Sequence, residues 1–281
     1  MIYAHEIPKG ARLYFGKSAK IKREIEHIAS EILYDEGFEE IVTPLLSYHQ
    51  HQILEDTSEL IRVSDEANRE LTVRADSTVD VVRLITNRLG RSTEHRKWFY
   101  IQPVYRYPAR EYYQIGAEWL ESQEVAHIVK LVLKIFGRLE LAPVLQLSNI
   151  KIPLLLDRKY GLALDVLKSA DIDKILENEN EWIANLLYLS SVDEIDAVVQ
   201  QVPEDIQTEL LKIKEVAQSI NYDHIIIAPL YYAKMRYYQD LFFRFFDGNE
   251  TIAMGGEYMA GEELACGFAI YTDTIIKRKG G

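Results

Sequence analysis

The sequence predicts an α+β fold, with a mostly antiparallel sheet flanked by helices and interrupted by a helical insertion. Residues 97–120 contain two apolar, aromatic-rich runs around a short polar turn, which is the pattern of a β-hairpin. Helical periodicity on either side of the hairpin predicts helices that cover one face of the sheet. From residue 151 to residue 221 strand patterns are missing. We therefore divide the chain into a core, residues 1–150 plus 222–281, and a helical insertion, residues 151–221.

The first predicted helix covers residues 18–36. Its apolar positions, such as Ile21, Ile25 and Ile28, follow the spacing of an amphipathic helix. Ser18 is the expected N-cap, and Gly37 is the expected residue just past the C-terminus. This helix should lie with its apolar stripe against the sheet.

Between this helix and the hairpin we expect two short strands and a second helix. Pro44 restricts the first strand to an edge or an interface, because it has no N–H to donate. Residues 49–69 are polar and irregular, and residues 71–74 form the next strand. The turn that follows could cap a helix from about Val79 to Gly90.

The second strand of the hairpin carries the candidate site. Tyr112, Gln114, Gly116 and Glu118 alternate onto one face, and Arg106 ends the first strand. A cation, an amide and a carboxylate would share one surface, with Gly116 leaving room above the sheet. That arrangement suits a small zwitterion. The alternative is an ordinary hairpin with a solvated polar face.

The rest of the chain alternates between the two kinds of structure. Helices in the insertion are expected near residues 160–169, 173–189, 192–200 and 204–219. Strands return near residues 224–229, 240–246, 251–254 and 266–271. The pair Gly255-Gly256 should bend the chain, and the basic tail at residues 277–281 is expected to be disordered.

Composition and charge exclude several functional classes. A net charge of −12 argues against electrostatic capture of nucleic acid. Cys266 is the single cysteine, so an internal disulfide and a cysteine-based zinc site are excluded, and a buried, inert thiol is expected. No signal peptide and no run of 18 apolar residues is present, which predicts a cytoplasmic protein without a membrane anchor. His49 and His51 have no ligand partners that would complete a metal site, and no cofactor is expected.

Several short runs resemble, in the same order, the catalytic core of class II aminoacyl-tRNA synthetases of the histidyl type. Residues 37–44, from Gly37 on to Pro44, resemble motif 1, which in that family builds the dimer interface. The others are Arg74-Ala75-Asp76-Ser77-Thr78, similar to Arg-Pro-Glu-Gly-Thr; Tyr105-Arg106 with Gln114-Ile115-Gly116-Ala117-Glu118, similar to motif 2; Arg236-Tyr237-Tyr238, similar to Asp-Tyr-Tyr; Gly255-Gly256-Glu257-Tyr258, similar to Gly-Gly-Arg-Tyr; and Gly267-Phe268-Ala269-Ile270, similar to the start of motif 3.

The departures from this family concern the chemistry of ATP. Thr274 stands where motif 3 ends in an arginine that neutralises phosphates, and Ala233 replaces a second arginine. The motif 2 loop is short, and Pro108 occupies a position where an acid is usual. Since adenylate formation depends on positioned cations, these changes should remove several kcal/mol of transition-state stabilisation.

A histidyl-synthetase-like core without catalysis resembles the family of ATP phosphoribosyltransferase regulatory subunits. That resemblance implies a non-catalytic chain that associates with a short-form catalytic subunit in the first step of L-histidine biosynthesis. It also implies feedback inhibition linked to L-histidine and a homodimer formed through residues 37–44. The alternative is a histidyl-tRNA synthetase-like, aminoacyl-adenylate-forming enzyme.

The same resemblance implies a histidine pocket. Glu118 and Asp76 would face the ammonium group, with Thr78 and Gln114 adding hydrogen bonds nearby. Arg106 would lie toward the carboxylate. The imidazole side would be lined by Tyr238 and Tyr258.

Overall fold

The structure, a computed structural model, describes residues 6–48, 57–232, 238–260 and 262–280. The strands are β1 Glu39–Glu40, β2 Leu46–Ser47, β3 Arg62–Ser64, β4 Glu70–Val73, β5 Lys97–Arg106, β6 Arg110–Leu120, β7 Val144–Asn149, β8 Ile225–Ile227, β9 Tyr238–Asp247, β10 Glu250–Ala260 and β11 Glu263–Tyr271. The helices are α1 Gly16–Asp35, α2 Ser77–Asn87, α3 Val125–Arg138, α4 Lys151–Lys159, α5 Leu164–Ser169, α6 Ile172–Leu176, α7 Ile183–Tyr188, α8 Ile195–Val199, α9 Glu204–Ser219 and α10 Thr272–Arg278.

Eight strands form the main sheet, in the order β1-β5-β6-β11-β10-β9-β7-β8. The central pairs are antiparallel, and only the outer pairs β1–β5 and β7–β8 are parallel. A second, three-stranded sheet has the order β2-β4-β3. The prediction of a mostly antiparallel sheet is therefore confirmed, and β1 occupies an edge, as expected for the strand before Pro44.

The two faces of the main sheet have different coverings. One face packs against α1, α3 and α9 through a large apolar cluster that includes Phe99, Ile115 and Ala117. The other face packs against α2, whose Val81 and Ile85 contact Trp98 and Tyr100. The expectation that helices cover only one face is wrong, because the apolar stripe of α2 needs a partner of its own.

The hairpin forms as the sequence predicts. β5 and β6 pair from Lys97 opposite Trp119 to Arg106 opposite Arg110, and Pro108 lies in the connecting turn. The odd-numbered β6 residues Ile115 and Ala117 belong to the large apolar cluster. The even-numbered residues 112–118 therefore share the opposite face, the one on which α2 lies.

Residues 151–221 contain helices and no strand, and their positions partly differ from the prediction. Only residues 164–169 of the helix expected near 160–169 are helical, as α5, and the preceding helix α4 was not predicted; Gly161, with a φ of +68°, lies between the two. The expected helix near 173–189 is interrupted between α6 and α7, where Asn178 and Asn180 donate hydrogen bonds to the Tyr160 carbonyl. Because apolar residues of this segment belong to the same buried cluster as the sheet, the insertion packs directly on the core.

Four further expectations need correction. Phe15, not Ser18, is the N-cap of α1, and Ser18 instead exchanges hydrogen bonds with the Phe15 backbone. Part of the loop predicted at 49–69 is the strand β3, and residues 49–56 lie outside the described part. β10 continues through Gly255 and Gly256, with a bulge between Gly256 and Tyr258 in place of a bend. The basic tail begins within α10, whose Ile275 and Ile276 are buried.

None of the described helices has both the length and the apolar character needed to cross a membrane.

Candidate functional site

The most deeply placed acid of the predicted site is Glu118, in the middle of the sheet. Its side chain is 1% exposed. The Tyr258 hydroxyl donates a hydrogen bond of 2.6 Å to its Oε2 atom. Across the sheet, a Cβ atom on Gly267 would lie 2.0 Å from the same oxygen, so glycine is required there for the carboxyl group to fit.

The second oxygen of Glu118 makes this group a candidate binding site. Oε1 is buried and has no hydrogen-bond partner among the described residues. Burial raises the pKa of Glu118 to about 8, against the effect of the Tyr258 and Thr78 hydroxyls. A buried acceptor without a donor is costly, and a ligand that donates a hydrogen bond or brings positive charge would relieve that cost.

Tyr100 belongs to this group and was missed by the sequence analysis. Its ring lies over Gly116, where a Cβ atom would come within 2.3 Å of the Tyr100 Cζ atom. Its hydroxyl is 3.2 Å from Thr78 Oγ1. The room expected above Gly116 is therefore filled by a side chain of the neighbouring strand, and it is not open for a ligand.

Asp76 is buried and caps helix α2. Its Oδ1 atom accepts a hydrogen bond from the Val79 N–H at 3.2 Å, as the expected turn requires. Burial raises the pKa of Asp76, while the nearby charge of Arg106 lowers it. The charge of Asp76 in turn contributes to the raised pKa of Glu118. Asp76 thus lies between the acid at one end of the site and the cation at the other.

Arg106 and Gln114 line a separate cavity of about 350 Å³, together with Tyr112 and Tyr271. The Nη1 atom of Arg106 is 3.3 Å from Glu59 Oε2, whereas its Nε atom is buried without a hydrogen-bond partner among the described residues. Among the described residues, the Nε–H of Arg106 is therefore a buried donor without an acceptor, and Oε1 of Glu118 is a buried acceptor without a donor.

The distance between these two groups limits what one ligand can do. Arg106 pairs with Arg110, and Glu118 lies eight residues farther along β6. At a rise of about 3.3 Å per residue this separates the backbone positions by roughly 26 Å. The ammonium and carboxylate of an amino acid are bonded to one carbon, so they cannot contact Glu118 and Arg106 at once. The expected placement, with the ammonium facing Glu118 and Asp76 and the carboxylate toward Arg106, stays a prediction.

Tyr258 and Tyr238 occupy different positions. Tyr258 is buried against Glu118 and, with Thr78, also borders a second cavity of about 530 Å³ between α2 and the β10–β11 hairpin. Tyr238 is buried beside Gly256 and packs edge-on against Phe242, with ring centroids 4.9 Å apart. The structure therefore brings Glu118, Tyr258 and Thr78 together, and leaves Tyr238 at the side of this group.

Two other regions bear on the resemblance to synthetases. Thr274 lines the Arg106 cavity, and its hydroxyl lies 3.5 Å from the Thr251 carbonyl. Ala233, Arg236 and Tyr237, together with His49 and His51, lie outside the described residues. Cys266 is fully buried, and burial raises the pKa of its thiol to about 12, as expected for an inert cysteine.

Arg74 is a second residue whose role the sequence analysis missed. Its buried guanidinium donates to the Thr43 and Pro103 carbonyls and to Gln102 Oε1, at 2.9 to 3.0 Å. It joins the segment after β1 to the hairpin and so supports the strand that carries Arg106. Nothing in the local sequence indicates that Arg74, a basic residue after a short strand, is buried.

Comparisons with known proteins were consistent with one another. The family model for histidyl-tRNA synthetase matches residues 14–275. A relative from Wolinella succinogenes, named ATP phosphoribosyltransferase regulatory subunit, is 48% identical over 99% of this chain and 97% of its own. A relative of the same name from Helicobacter hepaticus is 39% identical and covers 99% of both chains. A histidine–tRNA ligase from Clostridioides difficile is 23% identical over 89% of this chain and 67% of its own.

Solved structures agree on the fold. A protein from Bacillus halodurans, described as an ATP phosphoribosyltransferase regulatory subunit/histidyl-tRNA synthetase, has a TM-score of 0.78 at 19% identity. The match covers all of this chain and 85% of that one. This chain therefore has a histidyl-tRNA synthetase-like fold and belongs to the family of ATP phosphoribosyltransferase regulatory subunits.

Proposed function

We propose that this chain is the non-catalytic regulatory subunit of an ATP phosphoribosyltransferase and binds L-histidine. It would act with a short-form catalytic subunit in the first step of L-histidine biosynthesis, in the cytoplasm and without a cofactor of its own. The observation that carries this proposal is the full-length match to two relatives of that name, at 48% and 39% identity.

The site supports retention of an amino-acid ligand. Among the described residues, one oxygen of the buried Glu118 carboxyl group and the buried Nε atom of Arg106 in the neighbouring cavity have no hydrogen-bond partner. Each could bind one charged group of a zwitterionic ligand with a basic side chain, but one L-histidine molecule would not contact both. Asp76 and Gln114 lie in the interval between them, so the ligand would have partners along its length.

The spacing of these groups suggests an orientation. The imidazole of L-histidine is its basic group farthest from the carboxylate, so we place the imidazole N–H at Glu118 Oε1. The ammonium then lies toward Asp76 and Gln114, and the carboxylate is directed toward Arg106 without contacting it. Because Glu118 is already surrounded by the hydroxyls of Tyr258 and Thr78, the ligand must displace side chains such as Tyr100 to enter.

The cavity around Arg106 supports the absence of adenylate chemistry. Thr274 lines it where a synthetase carries the arginine at the end of motif 3. A hydroxyl cannot supply the positive charge that a polyphosphate transition state requires. Arg12 and Arg106 remain as cations of this cavity, and Arg106 is engaged by Glu59.

The proposal is tested with the short-form ATP phosphoribosyltransferase from the same organism. We expect its activity to rise and saturate as this chain is added, and the two proteins to elute together in gel filtration. A catalytic subunit that is fully active alone and forms no complex would contradict the partner. Histidine-dependent exchange of pyrophosphate into ATP by the pure chain would instead support the synthetase-like alternative.

We further propose a homodimer through residues 37–44. Val42 is 79% exposed, and Leu45 and Leu46 expose nearly half of their surface beside the edge strand β1. Exposed apolar side chains next to an unpaired strand edge are typical of an interface. Light scattering should give twice the mass of one chain, and Val42→Asp should shift it toward the monomer.

A further inference from the structure

Five side chains join the helical insertion to the core, and we call them the insertion joint: Asn149, Lys151, Glu209, Lys212 and Asp240. The fully buried Asn149 amide donates to Glu209 Oε2 and to Asp240 Oδ1, each at 2.8 Å. Lys212 on α9 is 2.8 Å from Glu209 and 3.2 Å from Asp240, and Lys151 on α4 also pairs with Asp240. These contacts fix α4 and α9 against β7 and β9.

The charges of the insertion joint balance. Two carboxylates, Asp240 and Glu209, face two ammonium groups, Lys151 and Lys212, and the amide bridges the two acids. Each acid is less than one tenth exposed. The lysine side chains are 42% and 35% exposed, but both carboxylates are buried, so a further negative charge beside these acids would be only partly screened by water.

Glu257 brings a fifth ionisable group to this neighbourhood. It lies in the bulge of β10, pairs with Cys266 across the sheet and is 4% exposed. Its carboxyl group accepts a hydrogen bond from the Leu241 N–H, next to Asp240. Among the described residues no ion pair of Glu257 is found, since both lysines of the joint already serve other acids.

Groups from every neighbouring element act on Glu257. Asp240 of β9 repels its negative charge, while Lys212 of α9 and Lys151 of α4 attract it. Burial is the largest effect and, with Asp240, raises the pKa of Glu257 to about 7. The Cys266 thiol of β11 stays neutral in this range, since burial raises its pKa to about 12.

Helix α3 contributes further charged groups near the joint. His127 and Lys130 line a cavity of about 470 Å³ between α3 and α9, together with Glu124, Glu215 and Lys212. The Nε2 atom of His127 lies 3.7 Å from Glu36 Oε2. His127→Gln therefore serves as a control variant for the charged groups of this cavity.

We propose that Glu257 is a proton-dependent switch of the insertion joint: as a neutral acid it leaves the joint balanced, and its ionisation weakens the docking of α9 and α4 on the core sheet. The charge count of the described residues carries this inference, because both lysines of the insertion joint already pair with other acids when a third carboxylate ionises beside them. The inference concerns the helical insertion and does not depend on L-histidine binding.

The direction of the effect follows from proton linkage. The pKa of Glu257 is raised in the docked state above its ordinary value of 4.5. Docking is therefore strongest below about pH 4.5 and weakens as the pH rises to about 7, by up to about tenfold per pH unit in the opening equilibrium. Above that pH the effect of this group levels off.

Hydrogen exchange measured by mass spectrometry on the full chain tests the proposal. Exchange rates of α9 amides, divided by the intrinsic rate at each pH, give an opening constant between pH 5 and 8. We expect it to rise about tenfold or more up to pH 7 in the wild type and to stay flat in Glu257→Gln. Helix α2, which contributes nothing to the joint, provides the internal reference.

His127→Gln is the matched control and should keep the wild-type pH dependence. An opening constant in the wild type that does not change with pH, or the same slope in Glu257→Gln, would overturn the proposal. If Glu257→Gln does not fold, the carbon-13 chemical shift of the Glu257 carboxyl in the wild type decides. Titration near pH 7 supports the switch, and titration near pH 4.5 refutes it.

Discussion

Strand β10 separates two polar regions that lie on opposite faces of the sheet. On the α2 face, Tyr258 donates to Glu118, whose other oxygen has no partner among the described residues. On the α9 face, the acids of the insertion joint are each paired with lysines and with the Asn149 amide. Among the described residues, the first region has a buried acceptor without a donor, whereas the acids of the second region are all paired.

This difference separates a binding site from a structural contact better than residue type does. Both regions contain buried carboxyl groups, and both are formed by residues far apart in sequence. A satisfied network rigidifies the fold, while an unpaired buried acceptor indicates a missing partner. Substitutions in each region in turn test this distinction.

The largest effect is expected at the insertion joint. Asn149→Ala removes the amide that serves two buried carboxylates and leaves both short of a donor. We expect the free energy of unfolding to fall by about 3 kcal/mol. Urea denaturation followed by circular dichroism measures it, and a loss below about 1 kcal/mol would show that the joint is not a structural contact.

A smaller effect should appear in the pH dependence of stability through Glu118. Its pKa is about 8 in the folded chain, above the ordinary 4.5. The contribution of this group is thus fully present below about pH 4.5 and is lost as the pH rises toward 8. We expect Glu118→Gln to reduce the decline of unfolding free energy over this range. Parallel slopes for the two proteins would place the Glu118 pKa near its ordinary value.

The smallest effect should come from an exposed ion pair. Lys214 lies 2.6 Å from Asp196, whose side chain is 69% exposed. Lys214→Ala should change the free energy of unfolding by less than about 0.5 kcal/mol. Measured in the same urea experiment, it is the control for Asn149→Ala, and a comparable loss in both variants would remove the distinction between buried and exposed contacts.

Part of this arrangement could be predicted from the sequence. Alternation along β6 correctly placed Gln114 and Glu118 on one face, because the side-chain period of a strand is two residues. The turn before α2 correctly suggested a helix cap, which Asp76 provides. Local patterns of this kind depend only on neighbouring residues.

The rest depends on contacts between distant segments. Nothing near Gly116 in the sequence shows that the Tyr100 ring fills the space above it, since the contact depends on the register of β5 with β6. The insertion joint joins residues up to 91 positions apart. The helix break near Asn178 was missed for a similar reason, because it involves hydrogen bonds from Asn178 and Asn180 to the distant Tyr160 carbonyl.

The central claim is that Glu118 holds a basic ligand, and calorimetric titration of L-histidine into the pure chain at pH 7 tests it most directly. We predict saturable binding at one site per chain, weakened about ten- to a hundredfold in Glu118→Gln, because a basic ligand favours the ionised carboxylate and the amide cannot form the charge-assisted hydrogen bond. Glu121→Gln, an exposed acid just past β6, should bind like the wild type. Unchanged affinity in Glu118→Gln, or no binding by the wild type, would contradict the account.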